Sequence, residues 1–234
     1  MDDRGAVREA AGGAAVIASA DTALIVIDAQ RAFVDPAGSL IRTHGPEEAG
    51  PGLEALDRLL AFFAAHATRG PTIWVRSEYH PGQFTGGDLR DGMAQVCVPG
   101  ANVDCEWPAA VLEVMSPRDL VITKRHADAW QSADFRAAVE RALDGGVTRI
   151  AMMGFQFTTC VAASALSTAD AVRARGVRVA VVESLTGSRA SSHVPGASGV
   201  SRMESTRRQL AAAGIDVVSL PGLPGRPGLP GPRR

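Results

Sequence analysis

Ala23-Leu24-Ile25-Val26-Ile27-Asp28 is apolar and largely β-branched until its last residue, a carboxylate. An unbroken apolar run of this length, with no polar alternation, predicts a strand covered on both faces, the signature of a parallel sheet. Further runs of the same kind lie downstream: Thr72 to Arg76, Leu120 to Lys124, Arg149 to Met153, Val177 to Val182 and Asp216 to Ser219. Helical stretches separate them. Pro51 to Ala67 carries Leu53, Leu56, Leu59, Leu60 and Phe63 along one stripe, and Ser132 to Leu143, Thr158 to Arg175 and Met203 to Ala213 also read as helices. Gly176 and Gly214 close the last two as C-caps. Strands alternating with helices predict an α/β fold: a three-layer α-β-α sandwich with a central, mostly parallel sheet of about six strands.

The chain has 234 residues, enough for one domain with a substantial core. The predicted domain spans residues 21–219, after an N-terminal arm (1–20) and before a flexible Gly/Pro-rich tail (220–234) with too few triplets for a collagen helix. A net charge of -1 argues against nucleic acid or an anionic membrane as partner, and no apolar run reaches the roughly 18 residues of a membrane span. The arm lacks the apolar core of a signal peptide, and the cysteines number three, so free thiols in a reducing, cytoplasmic setting are expected. Cys97 and Cys105 read as free thiols in or near a loop, rather than a bridge or a metal pair. The segment from Ser77 to Pro117 is too long for an idle connector and is expected to build a site or an interface.

In parallel sheets, sites lie beyond the carboxyl ends of the strands. Asp28 ends the first strand, Lys124 ends the third, and Cys160 follows the fourth at the start of a helix. Singly, such residues are ordinary: a turn carboxylate, a solvated lysine, a small buried thiol. Together they form a set that can do chemistry. A carboxylate can take the thiol proton and return it to a leaving amine. A lysine keeps the carboxylate ionised, and a helix N-terminus favours the thiolate.

Three segments carry a resemblance to the isochorismatase-like cysteine hydrolase superfamily, which includes nicotinamidases, N-carbamoylsarcosine amidohydrolase, biuret hydrolase and ureidoacrylate hydrolase. They are Ala23 to Phe33, with Asp28, Gln30 and Phe33; Val121 to Trp130, around Lys124; and Gly154 to Ser164, the turn that carries Cys160. The resemblance spans roughly residues 20 to 220. It implies that Asp28 is general base and then acid, Lys124 the cation and Cys160 the acylated nucleophile. It also implies a non-proline cis peptide between Phe155 and Gln156, turning the Gln156 N–H alongside that of Cys160 as an oxyanion hole. The function implied is hydrolysis of a C–N bond in a small linear amide, carbamoyl or ureido compound. The alternatives are a vinyl ether hydrolase, which needs the Asp but not the thiol, a nicotinamidase-like amidase, and a non-catalytic member.

Two departures from the family pattern stand out. Phe157 occupies a position where relatives carry Thr, and Ala127 and Asp128 replace a Tyr-like residue and a Ser; Asp128 reads as a helix-start carboxylate, or else as a substrate contact. Nicotinamidases in the family hold a divalent metal through Asp and His after the second strand. Glu78 and His80 stand there, but Val96 fills the place of a further ligand, so neither metal nor cofactor is expected. Phe33, Trp130, Phe155 and Phe157 are the expected apolar wall around Cys160, Gln30 a further substrate contact, and Arg76 a partner for a substrate carboxylate. Glu183, Thr186 and Ser188 fall near the same rim with no role assigned. The resemblance also implies a homo-oligomer, a dimer or tetramer.

Overall fold

A computed structural model describes residues 8–9, 13–83 and 93–220. The elements are β1 (Arg8–Glu9), α1 (Gly13–Ile17), β2 (Thr22–Ile27), α2 (Arg31–Val34), α3 (Ser39–His44), α4 (Pro46–Ala65), β3 (Thr72–Ser77), α5 (Ala109–Val114), β4 (Leu120–Lys124), α6 (Ala133–Asp144), β5 (Arg149–Phe155), α7 (Ala162–Val172), β6 (Arg178–Gly187), α8 (Arg202–Ala212) and β7 (Asp216–Ser219). They form one sheet in the order β1-β7-β6-β5-β2-β3-β4, with every pairing parallel.

The expected six strands are present, and a seventh of two residues, Arg8–Glu9, comes from the N-terminal arm and pairs with β7. The rest of the arm before Gly13, residues 84–92 and the tail beyond Leu220 lie outside the described residues. Among the described residues, no helix is long and apolar enough to cross a membrane.

Strand alternation splits the core into two layers. Leu24 and Val26 of β2, with Trp74, Met153 and Phe155, pack under α1 to α5. Ala23, Ile25 and Ile27, with Val75 and Met152, pack under α6 to α8. Both faces of β2 are therefore apolar, and every residue of the strand is buried. Ser132 caps α6 by accepting the Phe135 N–H at 3.4 Å, and Ser201 caps α8 by accepting that of Glu204 at 3.1 Å.

Several boundaries differ from the sequence reading. β6 runs five residues past Val182, because its end pairs with the end of β5: Thr186 lies opposite Gly154 and Gly187 opposite Phe155. The helix expected from Thr158 is broken into pieces. Residues 157–161 make a wide π turn, in which the Val161 N–H reaches the Gln156 carbonyl at 3.1 Å, and α7 follows.

Strand order fixes where the site lies. From β2 the chain moves outward through β3 and β4, then returns to β5 on the other side of β2 and moves outward through β6 and β7. The crevice at such a reversal is the ligand position in open parallel sheets. Gly154 stands on that boundary with φ +111°, and a Cβ there would lie 2.1 Å from the Ile27 carbonyl oxygen and 2.7 Å from its nitrogen. Both obstacles are backbone, so neither can rotate away. Gly154→Ala is expected to cost about 3 kcal/mol or more, read as a drop in the urea unfolding midpoint; a variant as stable as the parent would remove this reading of the β2–β5 contact.

Candidate active site

Asp28 leaves the end of β2 with φ +52°, a left-handed conformation that Asp tolerates better than most residues. Its N–H still bonds to the Val75 carbonyl at 2.7 Å, so the residue stays anchored to β3 while its side chain leaves the strand. Lys124 ends β4 in register with Ser77 on β3. The ammonium lies 2.9 Å from Asp28 Oδ2, and both side chains are fully buried.

The pair is closed by hydrogen bonds. Lys124 Nζ also donates to Ser77 Oγ at 2.7 Å and to the His126 carbonyl at 3.1 Å. Ser77 Oγ donates to Asp28 Oδ1 at 3.0 Å. Burial alone would lower the lysine, but the facing Asp28 carboxylate outweighs it and holds Lys124 well above its ordinary value. The cation is permanent.

Cys160 sits in the π turn after β5, 7% exposed, near enough to Asp28, Lys124 and Tyr79 for all three to act on its thiol. Burial pushes its thiol up to about 11; Lys124 pulls the other way, and Asp28 adds to the rise. A helix start was expected to favour a standing thiolate, and here desolvation wins. The resting group is therefore a protonated thiol beside a carboxylate. The Phe155–Gln156 peptide is cis.

The expected side chains do not form one wall. Phe157 and Cys160 belong to the α6–α8 layer, with Trp130 packed against it and 6.0 Å from Phe135, edge to face. Phe33 and Phe155 belong to the opposite layer. Phe155 is 1% exposed, and its ring packs against Gly52 and Gly187, whose missing side chains leave it room. This corrects the expectation that Phe155 borders the thiol: β5 alternation turns its ring to the other face of the sheet.

Gln30 is a second correction. Its amide nitrogen donates to the Ser77 and Asp104 carbonyls at 3.1 and 3.3 Å, and its oxygen accepts the Ser77 N–H at 2.6 Å. Both amide protons are used and the side chain is fully buried, so Gln30 clamps Ser77 rather than meeting a substrate. Arg76 is likewise engaged. It pairs with Glu78 at 2.7 Å and reaches Thr123 Oγ1 at 3.2 Å. His80 faces Arg125, at 3.4 Å. Glu78 and His80 thus turn to separate cations, and among the described residues no three His, Cys, Asp or Glu side chains gather as a metal site.

Asp128 is a turn cap: it accepts the Trp130 N–H at 2.9 Å and the Ser167 hydroxyl at 2.7 Å. Glu183, Thr186 and Ser188 line a separate cleft of about 490 Å³ beside the end of β7, and Glu183 pairs there with Arg207. The three cysteines are free.

Sequence reasoning missed three residues. Ser77 and Tyr79 touch the ion pair and the thiol, and their only signal was a position just past a strand end. Asp104, fully buried, latches the long loop: it accepts the Ser39 N–H at 2.9 Å, the Ser39 hydroxyl at 2.5 Å and the Cys97 N–H at 3.1 Å.

A parallel sheet with a carboxylate, an ammonium and a thiol gathered at its order reversal defines a class of α/β hydrolases. The chain belongs to the isochorismatase family, whose domain model matches residues 22–216. Among solved structures, it is similar to an isochorismatase family protein from Desulfovibrio vulgaris (20% identity, 86% of this chain and 95% of that one, TM-score 0.62). It is also similar to N-carbamoylsarcosine amidase from Thermoplasma acidophilum (16%, 87% and 99%, TM-score 0.58). A third similar structure is the pyrazinamidase of Pyrococcus horikoshii in complex with zinc (17%, 86% and 99%, TM-score 0.62). No curated protein sequence matches significantly.

Two outcomes follow from the geometry. Lys124→Met leaves a buried carboxylate without its cation and is expected to cost about 3–5 kcal/mol, part of which the double variant with Asp28→Asn recovers; urea denaturation of the three proteins checks this, and a single variant as stable as the parent would refute it. Iodoacetamide labelling of Cys160, followed on its own peptide by mass spectrometry, should climb about tenfold per pH unit above neutrality toward the thiol's value of about 11. A rate already at its plateau near neutral pH would contradict a protonated resting thiol.

Proposed function

We propose that the chain is a cysteine-dependent amidohydrolase that cleaves a C–N bond in a small linear amide, carbamoyl or ureido compound through a thioester on Cys160. The observation that carries this reading is the buried Asp28–Lys124 ion pair, 2.9 Å apart, with the Cys160 thiol near enough for both charges to act on it.

The proton moves within this cluster. Asp28 takes the thiol proton as sulfur attacks the substrate carbonyl carbon, and the carbonyl π electrons move to oxygen. Backbone N–H groups of Gln156 and Cys160 would receive that oxyanion. Collapse breaks the C–N bond, and the departing nitrogen takes the proton from Asp28. Water then gives a proton to Asp28 and adds to the thioester; the second collapse expels sulfur, which recovers the proton. Lys124 stays charged throughout, so the cluster has no net charge whether the proton sits on sulfur or on the carboxylate. In a buried site, that constancy avoids the cost of an unpaired charge.

The substrate class rests on the intact thiol, carboxylate and ammonium set and on the amidases among the similar folds. A cytoplasmic setting is part of the same reading, drawn from the free thiols. A dimer or tetramer is the proposed assembly; the edge strand β4 leaves Leu120 and Val121 exposed for a second copy to cover. Sedimentation velocity is expected to give a mass above that of the 24.3 kDa chain, and a monomer at working concentration would remove that proposal.

An ammonia-release screen over small amides, carbamoyl and ureido compounds tests the activity. The parent protein is expected to turn over at least one open-chain compound, and Cys160→Ala to lose about 10³-fold or more of that rate. Hits limited to nicotinamide would overturn the open-chain substrate class. Vinyl ether cleavage that survives Cys160→Ala would overturn the thioester route.

A further inference from the structure

In the sheet, β3 lies between β2, which Asp28 follows, and β4, which ends in Lys124. The two charges thus come from strands that do not pair with each other, and they meet across the end of the strand between them. Ser77 is the last residue of β3 and stands opposite Lys124 in the β3–β4 register. Asp28 is tied to the same strand, its N–H bonded to the Val75 carbonyl at 2.7 Å. Ser77 is fully buried.

Its hydroxyl serves both ions. Lys124 Nζ donates to Ser77 Oγ at 2.7 Å, and Ser77 Oγ donates to Asp28 Oδ1 at 3.0 Å. An ammonium can only donate and a carboxylate can only accept, so both directions are fixed by the groups themselves. The Tyr79 oxygen is a second acceptor at 3.0 Å, and the ionised carboxylate is the stronger of the two. The direct contact between the ions is of another kind: Asp28 Oδ2 lies 2.9 Å from Nζ and has no hydrogen bond. Attraction between charges depends on their separation, whereas a hydrogen bond also depends on angle. The directional hold on the carboxylate therefore comes through Ser77 at Oδ1. Ser77 is itself held at both ends of its backbone: Gln30 Oε1 accepts its N–H at 2.6 Å, and Gln30 Nε2 donates to its carbonyl at 3.1 Å.

We infer that Ser77 is a positioning residue for hydrolysis: its hydroxyl fixes the plane of the Asp28 carboxylate against Lys124, and Gln30 acts through it. The assignment deepens the reading of Asp28 as the group that takes the thiol proton, and rests on that reading. On that route Asp28 takes up a proton and returns it in acylation, and again in deacylation, so each turnover needs the carboxylate in one place four times. Ser77 keeps its own proton throughout. A hydrogen bond to an ionised carboxylate favours the ionised form. On electrostatic grounds alone, its loss would ease proton uptake; a slower reaction without the hydroxyl therefore reports lost placement.

Steady-state ammonia release, with an open-chain amide that the parent hydrolyses, tests the role in turnover. Ser77→Ala is expected to lower kcat about 10- to 100-fold while KM moves by no more than about threefold. Ser77→Thr keeps a hydroxyl and is expected to recover most of the loss. Gln30→Met should lower kcat as well, and adding Ser77→Ala to it should lower kcat no further, because the two side chains act as one unit. Crystal structures of the parent and of Ser77→Ala, both without substrate, read the placement directly: the Asp28 carboxylate is expected to turn from its present plane. An unmoved carboxylate, an unchanged kcat in Ser77→Ala, or losses that multiply in the double variant would overturn the assignment. If Ser77→Ala does not fold, Gln30→Met decides alone, and parent-like kcat there is the overturning result. The two readings fail separately. Ammonia release that survives Cys160→Ala, or no hydrolysis of any compound screened, ends the thioester route, and the paired crystal structures still judge the placement. Unchanged kcat in Ser77→Ala with an essential Cys160 ends only the role of Ser77.

Discussion

A carboxylate and an ammonium, both at zero exposure and 2.9 Å apart, impose the strongest constraint on this fold. Each ion forfeits several kcal/mol of hydration on burial, and mutual attraction repays that only when every remaining donor and acceptor is answered. The surroundings answer most of them, while Asp28 Oδ2 meets the ammonium as an ion partner and has no hydrogen bond. Ser77 bridges the pair, Gln30 holds both backbone groups of Ser77, and Asp104 ties the loop that backs them. Three strand ends and one long loop are thereby bound to a single charge pair.

The pair also decides how the thiol behaves. Burial raises Cys160 more than Lys124 lowers it, so a standing thiolate is the less stable form at neutral pH. A helix N-terminus contributes a fraction of a charge, typically worth 0.3–1 kcal/mol; removing a sulfur anion from water costs more. On the proposed route, activation comes from the carboxylate at the moment of attack. Such a site is quiet at rest, which suits a cysteine with little solvent access.

The strand-end residues were legible in the sequence because the topology of parallel sheets brings carboxyl ends together, and apolar runs mark those ends at Asp28 and Lys124. The side chains around them were less legible. Gln30 reads as a polar residue at a rim and is in fact a clamp, because its partners are the backbone of Ser77 and Asp104, distant in sequence. Phe155 sits next to the nucleophile turn yet faces away, since orientation follows β5 pleating and not proximity in the chain. Ser77 and Tyr79 carry no periodic signature. Hydroxyl hubs are found by counting donors and acceptors in three dimensions. The two-residue strand at Arg8–Glu9 is too short for any pattern, and the extension of β6 depends on pairing with β5.

The thiol and the cation sit on different elements, and their registration needs its own mechanism. Lys124 leaves β4 into a loop that is not free to wander. Its Ala129 N–H donates to Ser164 at 2.9 Å, and its Asp128 accepts from Ser167 at 2.7 Å, both hydroxyls belonging to α7. That helix continues from the turn bearing Cys160. The side chains of α7 therefore bind the lysine loop at two points, close to where α7 itself is joined to the turn of Cys160. The lysine loop is thereby anchored to the helix that follows the thiol as well as to β4. Asp28 needs no such tie, because β2 lies between β3 and β5 and its position follows from the sheet itself. Two of the three groups are thus coupled through hydrogen bonds and the third through the backbone ladder.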